Sequence, residues 1–274
     1  MRWSITWQSL SASGVVTGLM LGVLGDGLLV RATAGAVAGG AVLAPLLLPG
    51  LRRLSILKGS PLEASFVTSP GEVRNVWLLG KTRYQAQGKH YPEEAVLLQW
   101  ARTYRHGITQ ASDKSGRVLG FLSAWPVTEA CFEAIRSGAL LEDDITPEHI
   151  ARDRDRPHAF WYIADIFRGE RVRGLHGSVL EYVIHFLIAS FFANHRKTGA
   201  LPKGGSIELV AFAATAQGKS LLKAFGFGLA QASPQPAAGL PVYYLCLSAK
   251  GRRSVVDAAL AKMVALRRNV SVLE

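Results

Sequence analysis

Cysteine is scarce in this sequence of 274 residues, and its histidines are scattered. The two cysteines, Cys131 and Cys246, lie far apart in the chain; they form no metal-ligand cluster and imply no disulfide framework. The histidines show no ligand spacing either. We therefore predict a protein that holds no metal ion.

Acidic residues are also few, with 20 Asp and Glu against 31 Lys and Arg, so that the formal net charge is +11. Such an excess attracts phosphate groups of nucleic acid, of anionic lipid head groups or of a nucleotide cofactor. The basic residues are dispersed, however, and no aromatic-basic binding motif accompanies them. This dispersal disfavours nucleic acid as the partner.

Charge is nearly absent from residues 3–51, where only Asp26 and Arg31 carry it. A helix that crosses the hydrocarbon core of a membrane needs roughly 20 predominantly apolar residues. Two stretches, 5–24 and 28–49, each reach that length, and a Gly-Asp-Gly turn joins them. Several of their glycines lie four residues apart, a spacing that lets helix backbones approach closely in lipid.

These stretches predict a transmembrane helical hairpin over residues 1–57. Arg2 precedes the first apolar stretch, and Arg52, Arg53 and Lys58 follow the second. The positive-inside bias then puts both termini and the following domain in the cytoplasm, at the inner membrane. The alternative is a buried Gly/Ala-rich hairpin of a soluble protein. The hairpin could pair between two chains as readily as within one, so a homodimer stays open.

The residue composition changes after the predicted hairpin. Residues 58–71 are rich in Gly, Ser and Pro and predict a linker. Residues 72–79 predict the first strand of a domain over 72–250, and a basic helix over 251–274 ends the chain. The pattern inside the domain is that of an α/β fold. Its predicted elements are helix 93–105, strands 107–112 and 117–127, helix 128–138, strand 159–167, helix 174–195, strand 206–212, helix 215–225 and strand 242–248.

The junction 170–183, ERVRGLHGSVLEYV, carries glycines and basic side chains where a strand passes into a helix. The first backbone N–H groups of a helix have no partner inside it, and the helix dipole adds positive potential there. The junction could therefore bind a phosphate, although many ordinary strand-to-helix turns also contain two glycines. The residues available to a phosphate are Arg171, Arg173, Gly174, Gly177 and Ser178.

The order of these elements resembles the GNAT superfamily of N-acetyltransferases over residues 72–250. Segment 117–126, RVLGFLSAWP, is similar to that family's second and third strands, and 163–180, IADIFRGERVRGLHGSVL, to its fourth strand and pyrophosphate loop. Segment 215–227, TAQGKSLLKAFGF, is similar to its fourth helix and Gly-Phe pair. The resemblance implies a mixed central sheet flanked by helices. It also implies acyl-CoA or acetyl-CoA as co-substrate and direct attack by an amine.

The family's pyrophosphate loop reads Arg/Gln-x-x-Gly-x-Gly/Ala. Arg171 and Gly174 fit it, whereas His176 stands at the second small residue. Thr215 replaces the family's asparagine, and Leu222 replaces the tyrosine that serves as general acid for the departing thiolate. The coenzyme A contacts that the resemblance implies are Ile166, Phe167, Arg171, Arg173, Gly174, His176, Gly177, Ser178 and Thr215.

Acyl transfer to an amine needs a group that takes up the amine's proton. Asp165, on the strand that matches the family's fourth, is the first candidate, and Glu208, on the next strand, is the second. Each could instead be a structural carboxylate. We predict a membrane-anchored acyltransferase whose acceptor is an amine of a small molecule or a protein. The alternative, which the loss of the tyrosine favours, is an inactive GNAT-like binding or scaffold module at the membrane.

Overall fold

The computed structural model describes residues 56–86, 91–168, 177–230 and 240–267. The predicted transmembrane hairpin lies outside these residues except at its last two positions. Within the described ranges, no helix combines the length and the apolar character needed to span a bilayer.

The described residues contain seven strands: β1 Leu62–Phe66, β2 Ile108–Asp113, β3 Val118–Pro126, β4 Phe160–Arg168, β5 Ser206–Phe212, β6 Gly228–Leu229 and β7 Val242–Ser248. They form one sheet in the order β1-β2-β3-β4-β5-β7-β6. Neighbouring strands run antiparallel except β4 and β5, which run parallel. A parallel pair needs a crossover connection, usually a helix, and a long helix lies between these two strands in the chain. The mixed α/β sheet predicted from the sequence is therefore confirmed.

Helices cover both faces of this sheet. Trp161 and Tyr162 are adjacent on β4 and so point to opposite faces. The Trp161 ring lies 5.3 Å from that of Phe191 in the helix Gly177–Lys197, and the Tyr162 ring lies 6.5 Å from that of Trp100 in the helix Glu94–Thr103. The core therefore has a helical layer on each side. The helices are α1 Pro70–Ala86, α2 Glu94–Thr103, α3 Glu129–Arg136, α4 Gly177–Lys197, α5 Ala216–Ala224 and α6 Ala249–Leu266.

Hydroxyl side chains fix where two of these helices begin. Thr215 accepts a hydrogen bond from the backbone N–H of Gly218 (2.9 Å) at the start of α5. Ser248 accepts one from the N–H of Gly251 (3.1 Å) at the start of α6. An N-cap of this kind satisfies one of the N–H groups that the first helical turn leaves unpaired.

The start of the domain differs from the prediction. Residues 72–79, predicted as a strand, belong to α1, and the predicted linker contains β1, which pairs with β2. Val73 and Val76 are buried while Leu78 and Leu79 are exposed, which is helical rather than alternating burial. The Glu72 carboxylate accepts hydrogen bonds from the N–H groups of the two residues before Pro70, at 3.2 and 3.0 Å, and stabilises the helix start.

The C-terminal helix packs as part of this domain. Ala259, Leu260 and Met263 of α6 are buried, and Lys262 Nζ lies 3.0 Å from Glu181 Oε1 of α4. The described helix covers most of the segment predicted to be helical. Its basic side chains do not share one face: Lys262 contacts α4, Arg252 is buried and donates to the Pro202 carbonyl (2.9 Å), and Arg253 is exposed.

Candidate active site

Strands β4 and β5 pair over only part of their length. Their ladder runs from Phe160 opposite Glu208 to Ile163 opposite Ala211. Beyond that point β5 ends at Phe212, whereas β4 continues to Arg168 paired with β3 alone. The two parallel strands therefore separate, and a cleft of about 530 Å³ opens between them.

A β-bulge lies where the strands part. The register between β3 and β4 passes from Ser123 opposite Asp165 to Ala124 opposite Ile163, so Ala164 is an extra residue on β4. A bulge bends its strand and changes the alternation of the side chains that follow. Asp165 therefore lies on the same face as Tyr162, three residues earlier, instead of the opposite one.

The walls of the cleft are mostly apolar, with a few polar side chains among them. Such a combination is typical of ligand pockets, where the polar groups fix the orientation of an otherwise apolar ligand. The polar side chains are those of Tyr84, Asp165, Thr215, Gln217 and Ser220. The larger apolar side chains are those of Ile163, Ile166, Ile184, Phe212, Leu221 and Leu222.

Two sets of backbone groups border the cleft. From Ala164 onward, the edge of β4 that faces β5 has no ladder partner on β5 among the described residues. An open strand edge can form hydrogen bonds with an extended ligand. The first turn of α5, with Ala216 and Gln217, lines the other side. Thr215 caps only one of its N–H groups, so the rest point out of the helix end.

A polar group of side chains surrounds Asp165 at the bulge. The Tyr84 hydroxyl of α1 donates to Asp165 Oδ1 at 3.4 Å. A second cavity, of about 10 Å³, lies next to the cleft, and Ala164 and Asp165 line both. Asp165 thus stands between the cleft and the small cavity. The other residues around the small cavity are Tyr91, Pro92, Leu97, Trp100, Ser123 and Glu142.

The small cavity is an acidic environment. Burial raises the pKa of Glu142 to about 8, and the neighbouring carboxyls of Asp165 and Asp143 add to that rise. Burial also raises the pKa of the Tyr91 and Tyr162 hydroxyls well above their usual range. No lysine or arginine is among the described residues that line either cavity. Burial and the neighbouring carboxyls therefore favour the protonated form of the Glu142 carboxyl.

The structure brings together some of the residues predicted from the sequence. Asp165, Ile166 and Thr215 line the cleft. Phe167 is buried and stacks on Phe121, with ring centroids 5.0 Å apart, so it lies in the core and does not line the cleft. Ser178 lies in the first turn of α4, which begins at Gly177. Four predicted coenzyme A contacts lie outside the described residues: Arg171, Arg173, Gly174 and His176.

Glu208 lies away from Asp165. It stands at the paired end of β5, opposite Phe160, and it does not line the cleft. Its Oε2 accepts a hydrogen bond from the Tyr244 hydroxyl (3.0 Å), and Arg136 lies over the Tyr244 ring at 5.7 Å. These contacts give Glu208 a structural role between β5, β7 and α3.

Three residues near Asp165 were not identified from the sequence. Tyr84 follows a segment that was assigned to a strand, Tyr91 lies in a connection, and Glu142 begins a run of acidic residues typical of a solvated surface. Nothing in the sequence around them indicates burial. Leu222 does line the cleft, as the resemblance implies for the position of the family's tyrosine. Within the described ranges, no group of His, Cys, Asp or Glu is arranged to hold a metal ion.

No protein-family model and no curated protein matches the sequence. Solved structures do. An acetyltransferase of the GNAT family from Listeria monocytogenes has 13% identity and a TM-score of 0.39, over 68% of this chain and 95% of that one. The N-acetyltransferase YhbS from Escherichia coli, in complex with CoA, has 14% identity and a TM-score of 0.38, over 73% of this chain and 84% of that one. FeeM, an N-acyl amino acid synthase from uncultured soil microbes, has 12% identity and a TM-score of 0.44, over 72% of this chain and 96% of that one.

Proposed function

We propose that the protein transfers an acyl group from an acyl-CoA thioester to an amine. The observation that carries this proposal is the separation of β4 and β5 at the bulge of Ala164. The separation creates an apolar cleft with an open strand edge on one wall, a helix N-terminus on the other and Asp165 among its polar side chains.

An acyl-CoA fits this arrangement group by group. Its extended pantetheine arm carries amide groups that can pair with the free edge of β4, and its acyl chain can contact the apolar walls. Its phosphates are suited to the N-terminal ends of α4 and α5, near Ser178 and Thr215. We propose that Arg171, Gly174 and His176 complete the phosphate site, as the sequence predicts.

In this proposal, each of several groups in the cleft has its own role in the reaction. Asp165 takes a proton from the amine, and the neutral nitrogen attacks the thioester carbon. Backbone N–H groups on the β4 edge stabilise the negative charge on the carbonyl oxygen as the tetrahedral intermediate forms. The C–S bond breaks as the intermediate collapses. Leu222 has no proton to give, so the thiolate takes one from the attacking nitrogen, directly or through water.

Filling the cleft is expected to weaken acyl-CoA binding. Ala214 lines the cleft and is only partly exposed, so Ala214→Trp places an indole in the space of the acyl donor. We expect acetyl-CoA and octanoyl-CoA to bind at least about 10-fold more weakly, which corresponds to about 1.4 kcal/mol. Isothermal titration calorimetry on the full chain measures this.

Ala258→Trp is the matched control for that experiment, because Ala258 is exposed on α6 and away from the cleft. It should bind both ligands as the wild type does. If the wild type binds neither acyl-CoA, the acyltransferase proposal is wrong. If it binds them but transfers the acyl group to no amine, the inactive binding module that Leu222 favours becomes the better assignment.

We further propose that residues 1–57 anchor the protein in the inner membrane, with the domain in the cytoplasm. Support comes from the two apolar stretches and their basic flanks. We expect the full chain to stay in the membrane fraction after alkaline carbonate washing. A chain that begins at residue 56 is the control and should not sediment with the membranes. Recovery of the full chain in the soluble fraction would contradict the anchor.

A further inference from the structure

We infer that Glu142 and Asp165 act as a pair that accepts and shares the proton of the acceptor amine. This inference rests on the proposed acyl transfer and adds a residue that the sequence did not indicate. It starts from geometry, because both carboxyl groups line one cavity of about 10 Å³ beside the cleft. That space is of the order of one water molecule or one ammonium group.

The Tyr162 hydroxyl of β4 lies beside the Glu142 carboxyl. Tyr162 is fully buried, and its hydroxyl makes no well-aligned hydrogen bond within the described residues. Its strongest polar interaction is with the Glu142 carboxyl. Glu142 is partly exposed as a residue, yet its carboxyl lies on the buried side. The carboxyls of Glu142 and Asp165, which line the cavity, and the buried Tyr162 hydroxyl beside Glu142 form a polar environment that suits a polar or charged group.

The charges that face Glu142 favour a cation in that position. Tyr84 comes from α1, Tyr91 precedes α2, and Tyr162 and Asp165 come from β4. Asp143 is the neighbour of Glu142 in the chain. All of these groups are acidic or neutral. An ammonium group can therefore be stabilised here by the carboxyls and by the faces of the aromatic rings.

The proton transfer balances in the following way. The pair holds one proton and one negative charge when the protonated amine binds. The amine gives a proton to the pair, which becomes neutral, and its freed lone pair attacks the thioester carbon. When the C–S bond breaks, the thiolate takes a proton from the nitrogen that has formed the new C–N bond. The pair then releases its extra proton to water, which matches the single proton that acylation of an ammonium group liberates.

The test compares two nucleophiles in the full chain. Primary alkylamines, diamines and amino-acid esters are mostly protonated at pH 7, whereas hydroxylamine is mostly uncharged and needs no proton acceptor before attack. With acetyl-CoA and octanoyl-CoA as donors, we expect Glu142→Gln to slow acylation of the protonated amines by about 10-fold or more at pH 7. Acylation of hydroxylamine should change by less than about twofold.

Asp144→Asn is the control, since Asp144 is an exposed carboxylate two residues away. It should slow neither nucleophile. Equal slowing of both nucleophiles by Glu142→Gln would overturn the shared-proton role and leave Glu142 a structural residue. If the wild type acylates neither nucleophile, the proposed function fails, and this inference fails with it.

A second measurement needs no variant and no turnover. Carbon-13 NMR of the wild type with labelled glutamate carboxyls follows each group through a pH titration. We expect one glutamate to titrate well above the others and to shift when ethylammonium is added. Absence of any such glutamate would overturn the inference even if acyl-CoA binds and is turned over. Glu142→Asp, which keeps the charge, should retain the preference between nucleophiles if Glu142→Gln does not fold.

Discussion

Asp165→Asn is expected to lower kcat/KM for acyl transfer to an amine by about 10²–10³-fold, the usual effect of removing a general base. The amide cannot take up a proton at neutral pH, but it has the same shape and can still accept the hydrogen bond from Tyr84. Binding of acyl-CoA should therefore stay within about twofold of the wild type. Thiol release measures the first quantity and calorimetry the second.

Glu208→Gln separates this effect from the general loss of a strand carboxylate. Glu208 lies on the neighbouring strand, and its hydrogen bond with Tyr244 can be kept by an amide oxygen. We expect this variant to keep most of its activity. A loss as large as that of Asp165→Asn would mean that charge on the sheet, and not a proton acceptor at the bulge, sustains the reaction.

Much of the sheet could be predicted from residue patterns. The β2–β3 hairpin, β5 and β7 are short runs of β-branched and aromatic residues between turn residues, and they lie where the sequence predicted them. The first helix could not be recognised in this way. The run Val76 to Leu79 reads as an extended apolar strand, and only burial on one helical face shows that Val73 and Val76 contact the core.

The site was predictable to a lesser degree. Asp165 was placed on the correct strand, but its direction depends on the extra residue Ala164, and a bulge at an alanine leaves no mark in a single sequence. Glu142 could not be identified from the sequence either. Its two acidic neighbours make the segment look solvated, and the buried position of its carboxyl is decided by residues far away in the chain, such as Tyr91 and Tyr162.

The stability of the fold is expected to have a maximum at mildly acidic to neutral pH, because buried histidines and Glu142 titrate in opposite senses. Burial lowers the pKa of His158 and of His195 to about 4, from 6.5. Between pH 4 and 6.5 the folded state then binds fewer protons than the unfolded chain, so stability is lost as pH falls through that window. Both residues are almost fully buried, and a loss on the order of 3 kcal/mol for each histidine, or roughly 7 kcal/mol for the two together, follows.

Glu142 affects the stability of the fold on the alkaline side of the maximum. Its pKa is raised from 4.5 to about 8, so the folded state binds more protons than the unfolded chain between those values, and stability is lost as pH rises. Between pH 6.5 and 8 the decline should be about 2 kcal/mol. Glu142→Gln stays neutral and should flatten the profile there, while the loss below pH 6.5 remains. Urea unfolding from pH 4.5 to 8.5 measures the free energy of unfolding of the wild type and of Glu142→Gln, with Asp144→Asn as control. A wild-type decline that persists in Glu142→Gln would show that Glu142 is not the group responsible, and would weaken its assignment as a buried proton acceptor.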